Sequence, residues 1–183
     1  MLRKIRHYVP EITLKSIYHA IFSSIMNYGS QIWGQNKNDH IKRIIKLQDR
    51  AIRVLNFADY RAPTSELYKK SGILKFEDSI KIDNFLYVHN SLNNRLPSCL
   101  NKQFKYMKIQ TEQNTRNAKL LNTKESLIEL PKSRTTYYGI QSITDQSARI
   151  WNYMQITQAS LNLHQSSRNV CKERIKNLLV ETY

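Results

Sequence analysis

The chain has 183 residues, of which 40% are hydrophobic and 10% aromatic. That is enough for one domain or two small ones with a real core, and it excludes wholesale disorder. Lys and Arg number 29 against 14 Asp and Glu, a formal charge of +15, which favours polyanionic partners, nucleic acid ahead of an anionic membrane. Four Gly and four Pro are too few for an all-β sandwich or barrel with a turn every dozen residues. The expected fold is mainly α, an irregular helical bundle with at most a short β-hairpin near residues 126–138.

The excess charge is spread along the chain. Lys and Arg outnumber Asp and Glu by ten to four in residues 1–60, eleven to five in 61–120 and eight to five in 121–183. A solvated basic tail therefore does not account for it; the charge must coat folded surface. Two cysteines, Cys99 and Cys171, make no disulfide framework. The first ten residues do not read as a secretory signal, and no run approaches the ~18 uncharged residues of a membrane span. The expectation is a protein inside the cell, nuclear or cytoplasmic. His7, His19, His40, His89 and His164 are scattered, without metal-ligand spacing. No Walker, G-x-G-x-x-G or G-x-S-x-G motif is present, so neither metal nor cofactor is expected.

The first helix is expected between Pro10 and Gly29, with Leu14, Ile17, Tyr18, Ile21, Ile25 and Tyr28 recurring at three- and four-residue steps. Ile12, Ala20, Phe22 and Met26 are apolar too, so most of this helix is expected to be buried. A turn follows from Gly29 to Gly34. The second helix, capped by Asn38 or Asp39, runs to about Leu55 or Ala58. Ile41, Ile44, Ile45, Ala51, Ile52 and Leu55 form its apolar side. Opposite stand Lys42, Lys46 and Arg50 at four-residue spacing, flanked by Arg43 and Arg53. Like charges so spaced destabilise an isolated helix by a few tenths of a kcal/mol per pair, and only Asp49 lies near. A polyanion would relieve them; the ridge is about 16 Å long, the reach of roughly five phosphates.

A short helix is expected at Pro63–Ser71, stopped by Gly72, and another at Phe76–Leu92 using Ile82, Phe85, Leu86 and Leu92. The tract Lys105–Thr123 reads as a polar loop or hinge. Two extended segments, Ser126–Leu130 and Arg134–Tyr138, are expected on either side of Pro131, and helices at Ile143–Met154 and Val170–Val180. Trp33 and Trp151 sit among apolar neighbours and are expected to pack in cores rather than stack on bases. Phe57-Ala58-Asp59 imitates the start of an F/Y-A-D-D turn. The next residue is Tyr60, and two-metal chemistry needs at least paired carboxylates, so the string reads as the C-terminal turn of a helix.

Arg3–Pro10, Tyr28–Gly34 and Leu47–Arg53 appear in the order that resembles the region after the palm in non-LTR (LINE, jockey-type) retrotransposon reverse transcriptases. Asn114-Thr115-Arg116, Pro131-Lys132-Ser133-Arg134-Thr135, Tyr138-Gly139, Ser142-Ile143 and Ile150-Trp151-Asn152 resemble the tail of the same family. The resemblance implies a thumb-like and post-palm helical region at 1–104, a hinge at 105–123, and a tail of two short strands and two helices at 124–183. The fingers and palm, which carry the family's catalytic aspartates, have no counterpart here. It implies a non-catalytic, nucleic-acid-binding part of an RNA-directed DNA polymerase, with an RNA or DNA backbone and a separate or upstream palm domain as partners. Lys42, Arg43, Lys46, Arg50 and Arg53 would contact template–primer phosphates, and Arg116 and Arg134 would serve a tail clamp. Two alternatives stand beside it: an inert truncated relic, and a basic helical binder of membrane surfaces.

Overall fold

A computed structural model of the chain describes residues 2–34, 39–107, 127–132, 135–157 and 167–183. Among them the chain is mainly α, without a sheet. In order come α1 (Leu2–Ile5), α2 (Glu11–Ile17), a π-helical stretch Tyr18–Ser23, α3 (Ser24–Asn27), α4 (Ser30–Trp33), α5 (Asp39–Leu55) and α6 (Thr64–Ser71). Then follow α7 (Phe76–Leu92), a π-helical turn Thr136–Ile140, α8 (Ile143–Thr157) and α9 (Arg168–Glu181). Two compact units result, Met1–Ile80 with Ile175–Tyr183, and Lys81–Arg174; the division falls within α7 and within α9.

In the first unit α2 and α5 pack together. Leu14, Tyr18, Ala51, Ile52, Leu55, Tyr68 and Ile73 form one buried cluster, and Met26, Ile41, Phe76 and Ile80 a second. The first helix is not mostly buried as its composition led one to expect. Leu14, Tyr18 and Met26 are covered, whereas Ile12, Ile21, Tyr28 and Ile25, the last 72% exposed, face outward. Leu14 and Tyr18 are four apart and Met26 is eight further on, with half-buried Phe22 midway between. A four-residue step drifts about 40° round a regular helix; the wider π-helical stretch Tyr18–Ser23 slows that rotation. A narrow line of side chains thus reaches the core, and the apolar residues beside it do not.

Gly29, at φ +63°, makes the turn after α3. Trp33 stacks on Phe76 (5.3 Å between centroids, 21°) and its Nε1 donates to the Tyr28 carbonyl at 2.8 Å. Gln48, only 2% exposed, lies on the apolar side of α5. Its Nε2 donates to the Leu74 carbonyl (2.9 Å) and to Tyr18 Oη (3.2 Å), while its Oε1 accepts from the Phe76 N–H (2.9 Å). This side chain ties α5 to the loop before α7. Tyr183 Oη accepts from the Lys75 N–H and donates to Asp78 Oδ2, at 3.0 and 2.7 Å. Burial, reinforced by the Asp78 hydrogen bond, pushes that phenol well above its ordinary pKa.

The second unit is built on Ile82, Phe85, Leu86 and Val88 of α7 with Ala148, Trp151 and Met154 of α8, Phe104, Ile128 and Cys171, all buried. Trp151 stacks on Phe85 at 4.6 Å and 18°, a core role as expected. Its neighbour Asn152 accepts from the Ile128 N–H (2.8 Å) and donates to the Ile128 carbonyl (2.9 Å). Ile128 also bridges Tyr106 in antiparallel fashion. The first expected extended segment is therefore partnered by residues near 106, not by 134–138. The second is corrected: Thr136–Ile140 is a π-helical turn. The Thr135 and Thr136 carbonyls accept from the Ile140 and Gln141 amides, so within the expected segment these carbonyls are taken locally rather than by a strand ladder. Residues 108–126, 133 and 134 lie outside the described residues, and with them most of the expected polar hinge.

Candidate nucleic-acid interface

At about 100° per residue, Lys42, Arg43, Lys46, Arg50 and Arg53 of α5 fall within an arc of about 100°. Ile41, Gln48, Ala51, Ile52 and Leu55, the buried side, lie opposite. The helix forms because its apolar side has somewhere to go; the cations are what remains on the outside. Lys42, Arg43, Lys46 and Arg50 are exposed and Arg53 is half-buried.

Their pairing is uneven. Lys42 Nζ lies 3.0 Å from Asp39 Oδ1, an exposed ion pair worth little in water. Arg53 Nε donates to the Ala62 carbonyl at 2.9 Å, which leaves its other guanidinium nitrogens available. Asp49, the one carboxylate expected to relieve the ridge, accepts from Tyr68 Oη at 3.0 Å instead. Burial of Tyr68, with Asp49 beside it, raises that phenol far above its usual pKa and keeps it a donor. Arg43, Lys46 and Arg50 have no ion pair or hydrogen bond among the described residues. Arg116 and Arg134, the other two expected contact residues, lie outside the described residues.

The sequence reading missed two further cations. α1 packs against α5 and brings Arg3 and Arg6 beside Arg50 and Arg53. These four arginines line a hollow of about 690 Å³ with Val54, Phe57, Ala58, Asp59 and Tyr60. Lys42, Arg43 and Lys46 do not line it. The three-residue spacing of Arg3 and Arg6 puts both on one side of a helical turn, but nothing local announces that α5 is the neighbour.

Phe57-Ala58-Asp59 ends α5, as its context suggested. The Phe57 N–H bonds the Val54 carbonyl (3.3 Å) and the Ala58 N–H the Arg53 carbonyl (3.0 Å), the paired bonds of a Schellman cap. Glycine usually fills the left-handed position of such a cap; here it is Phe57, at φ +53°. A side chain there costs about 1–2 kcal/mol. The ring is 49% exposed, with the Arg6 guanidinium 5.4 Å from its centroid and His7 edge-on at 5.8 Å. Tyr60 is 67% exposed and Asp59 stands in the open loop.

No group of three or more His, Cys, Asp and Glu that could hold a metal ion occurs among the described residues. No described helix is long and apolar enough to cross a membrane.

Comparison with known proteins places this geometry in context. No protein-family model matches the chain, and no solved structure matches it significantly. Ninety residues, 48% of the chain, are 31% identical to a probable RNA-directed DNA polymerase from transposon X-element of Drosophila melanogaster, and the match covers 10% of that protein. The chain thus resembles, over about half its own length, a small part of a transposon-encoded RNA-directed DNA polymerase.

Proposed function

We propose that this chain is a non-catalytic part of a non-LTR retrotransposon polymerase that holds a nucleic-acid backbone along α5. The observation that carries the reading is the outer arc of α5: five cations on one side of one helix, three of them without a carboxylate or hydrogen-bond acceptor among the described residues. In this reading Arg43, Lys46 and Arg50 take phosphates directly, while Lys42 and Arg53 exchange or extend existing contacts. These contacts position a duplex without reading its bases. The thumb-like placement of α5 over a template–primer, and a separate palm as partner, come from the resemblance of the sequence motifs to non-LTR reverse transcriptases and belong to the proposal. The role is one of binding, since phosphoryl transfer by two metals needs at least a pair of carboxylates gripping ions about 4 Å apart, and the imitation motif supplies Asp59 followed by Tyr60.

Filter binding of a labelled RNA/DNA hybrid across a salt series tests the reading. Each phosphate contact contributes about 0.9 to the slope of log affinity against log salt for a duplex. Replacing all five ridge residues with Ala should flatten the slope by roughly 3 to 4.5 units. An unchanged slope in a folded variant would reject α5 as the contact surface. The exposed Ile21, Ile25 and Leu47 give the membrane-surface alternative an observation of its own. Flotation with anionic vesicles in the presence of competing RNA separates the two: vesicle binding that survives competition favours the lipid.

A further inference from the structure

The hollow between α1 and the C-terminal end of α5 differs in chemistry from the ridge. The ridge offers charge alone. The hollow adds two exposed aromatic rings, Phe57 and Tyr60, to four guanidinium groups, Arg3, Arg6, Arg50 and Arg53. Asp59 is the one carboxylate in its lining, so the hollow keeps a strong positive excess. Its volume, about 690 Å³, lies within the range of ~300–1,000 Å³ typical of sites that enclose a small molecule.

We propose that this hollow seats one unpaired nucleotide of a strand whose backbone lies on α5, the base stacking on Phe57 or Tyr60 and the phosphate lying among the arginines. The inference rests on the ridge reading above, because Arg50 and Arg53 belong to both surfaces. Three observations lead to an unpaired residue rather than more duplex. First, a base inside a duplex has both faces covered by its neighbours, so an exposed ring can stack only on a frayed, terminal or single-stranded base. Second, the hollow is concave, whereas the ridge is the convex outside of a helix that a duplex can approach. Third, Phe57 occupies a left-handed cap position that glycine fills without strain, yet it spreads a half-exposed ring over the hollow. Burial in the core does not account for that choice, since the residue is 49% exposed. The Arg6 guanidinium already lies over the same ring at 5.4 Å. An incoming base either shares the ring with it or moves it onto the phosphate that arrives with the base.

Fluorescence anisotropy of the full chain with two probes tests the proposal: a blunt fluorescein-labelled duplex, and the same duplex carrying a short single-stranded thymidine overhang. The overhang should bind roughly 5- to 150-fold more tightly, the effect of stacking one base on one aromatic side chain. Phe57→Gly removes the ring and the left-handed strain together. Combined with Tyr60→Ser at its exposed loop position, it should abolish the overhang preference, leave blunt-duplex affinity in place and leave the thermal midpoint no lower. Tyr60→Ser alone, at a residue 67% exposed, gives a second variant with a reduced preference. Equal affinity of the unaltered chain for both probes overturns the proposal, as does a preference that survives in the folded double variant. Loss of blunt-duplex binding on replacing Arg43 and Lys46 bears on the ridge alone. If those replacements leave the blunt duplex untouched while the overhang preference persists, Arg43 and Lys46 are not duplex contacts and the nucleotide seat stands on Arg50 and Arg53. Thymidine monophosphate that cancels the overhang preference at equimolar concentration would reassign the hollow to a free nucleotide and overturn its link to a strand. Failure of both probes to bind overturns both readings.

Discussion

Replacing Gln48 should destabilise the first unit severely, although the residue sits in the middle of an otherwise apolar face. Its amide partners the Phe76 N–H, the Leu74 carbonyl and Tyr18 Oη, at 2.9, 2.9 and 3.2 Å, and is itself 2% exposed. Removing the amide leaves at least the two backbone groups unpaired. A buried polar group without a partner costs about 1–3 kcal/mol, so Gln48→Met should lose roughly 2–6 kcal/mol while conserving length and most of the packing. Gln48→Ala should lose about 2–5 kcal/mol more through the cavity it opens. A domain has only ~5–15 kcal/mol in total, so either change takes a large share. The assay is urea denaturation followed by Trp33 fluorescence in a Trp151→Phe background. Trp33 stacks on Phe76, whose amide Gln48 holds, and so reports on the first unit. A Gln48→Met midpoint that matches a stability loss below about 0.5 kcal/mol would refute the reasoning, because the three hydrogen bonds would then carry no net stability.

Lys42 and Arg43 should behave differently in salt titrations despite being adjacent. Arg43→Ala should lower the slope by about 0.9 for a duplex, and Lys42→Ala by less, because Asp39 already neutralises part of its charge; Asp39→Asn should then strengthen binding. Asn152→Ala removes both bonds to the Ile128 backbone and should raise hydrogen exchange at the Ile128 amide, with a local loss of about 1–3 kcal/mol. An exchange rate equal to that of the unaltered chain would show that other contacts hold the segment. Burial raises the Asp83 carboxyl above its ordinary pKa, with Lys172 and Arg168 opposing the shift. Folding therefore disfavours its ionised form: the penalty is absent below the ordinary carboxylate pKa and complete above the raised one. Asp83→Asn should raise the thermal midpoint at neutral pH and leave it unchanged in acid, and a lower midpoint at neutral pH would mean that the pairing with Lys172 and Arg168 dominates.

Much of this protein was legible before any coordinates. α5, α6, α7, α8 and α9 lie where period, caps and stop residues put them, because each has an apolar face with a helical repeat and a Gly, Pro or polar residue at an end. The ridge was legible for the same reason: residues three and four apart share a face whatever the helix packs against. Tertiary structure decided what those faces meet. Composition alone overstated the burial of the first helix, since only a narrow line of its side chains meets the core and Ile12, Ile21 and Ile25 stay outside. The expected strand 134–138 is replaced by the turn Thr136–Ile140, where the Thr135 and Thr136 carbonyls are taken by local i→i+5 bonds. Gln48 reads as a surface residue by type, and only the arrival of Phe76, Leu74 and Tyr18 makes it a buried connector. The arginine hollow is the clearest case. Arg3 and Arg6 are some fifty residues from Arg50, Arg53 and Phe57 in the chain, and their union depends on α1 docking on α5. Local pattern carries the direction of a side chain around its own helix, but which helix lies across from it is settled by how the buried faces close on one another.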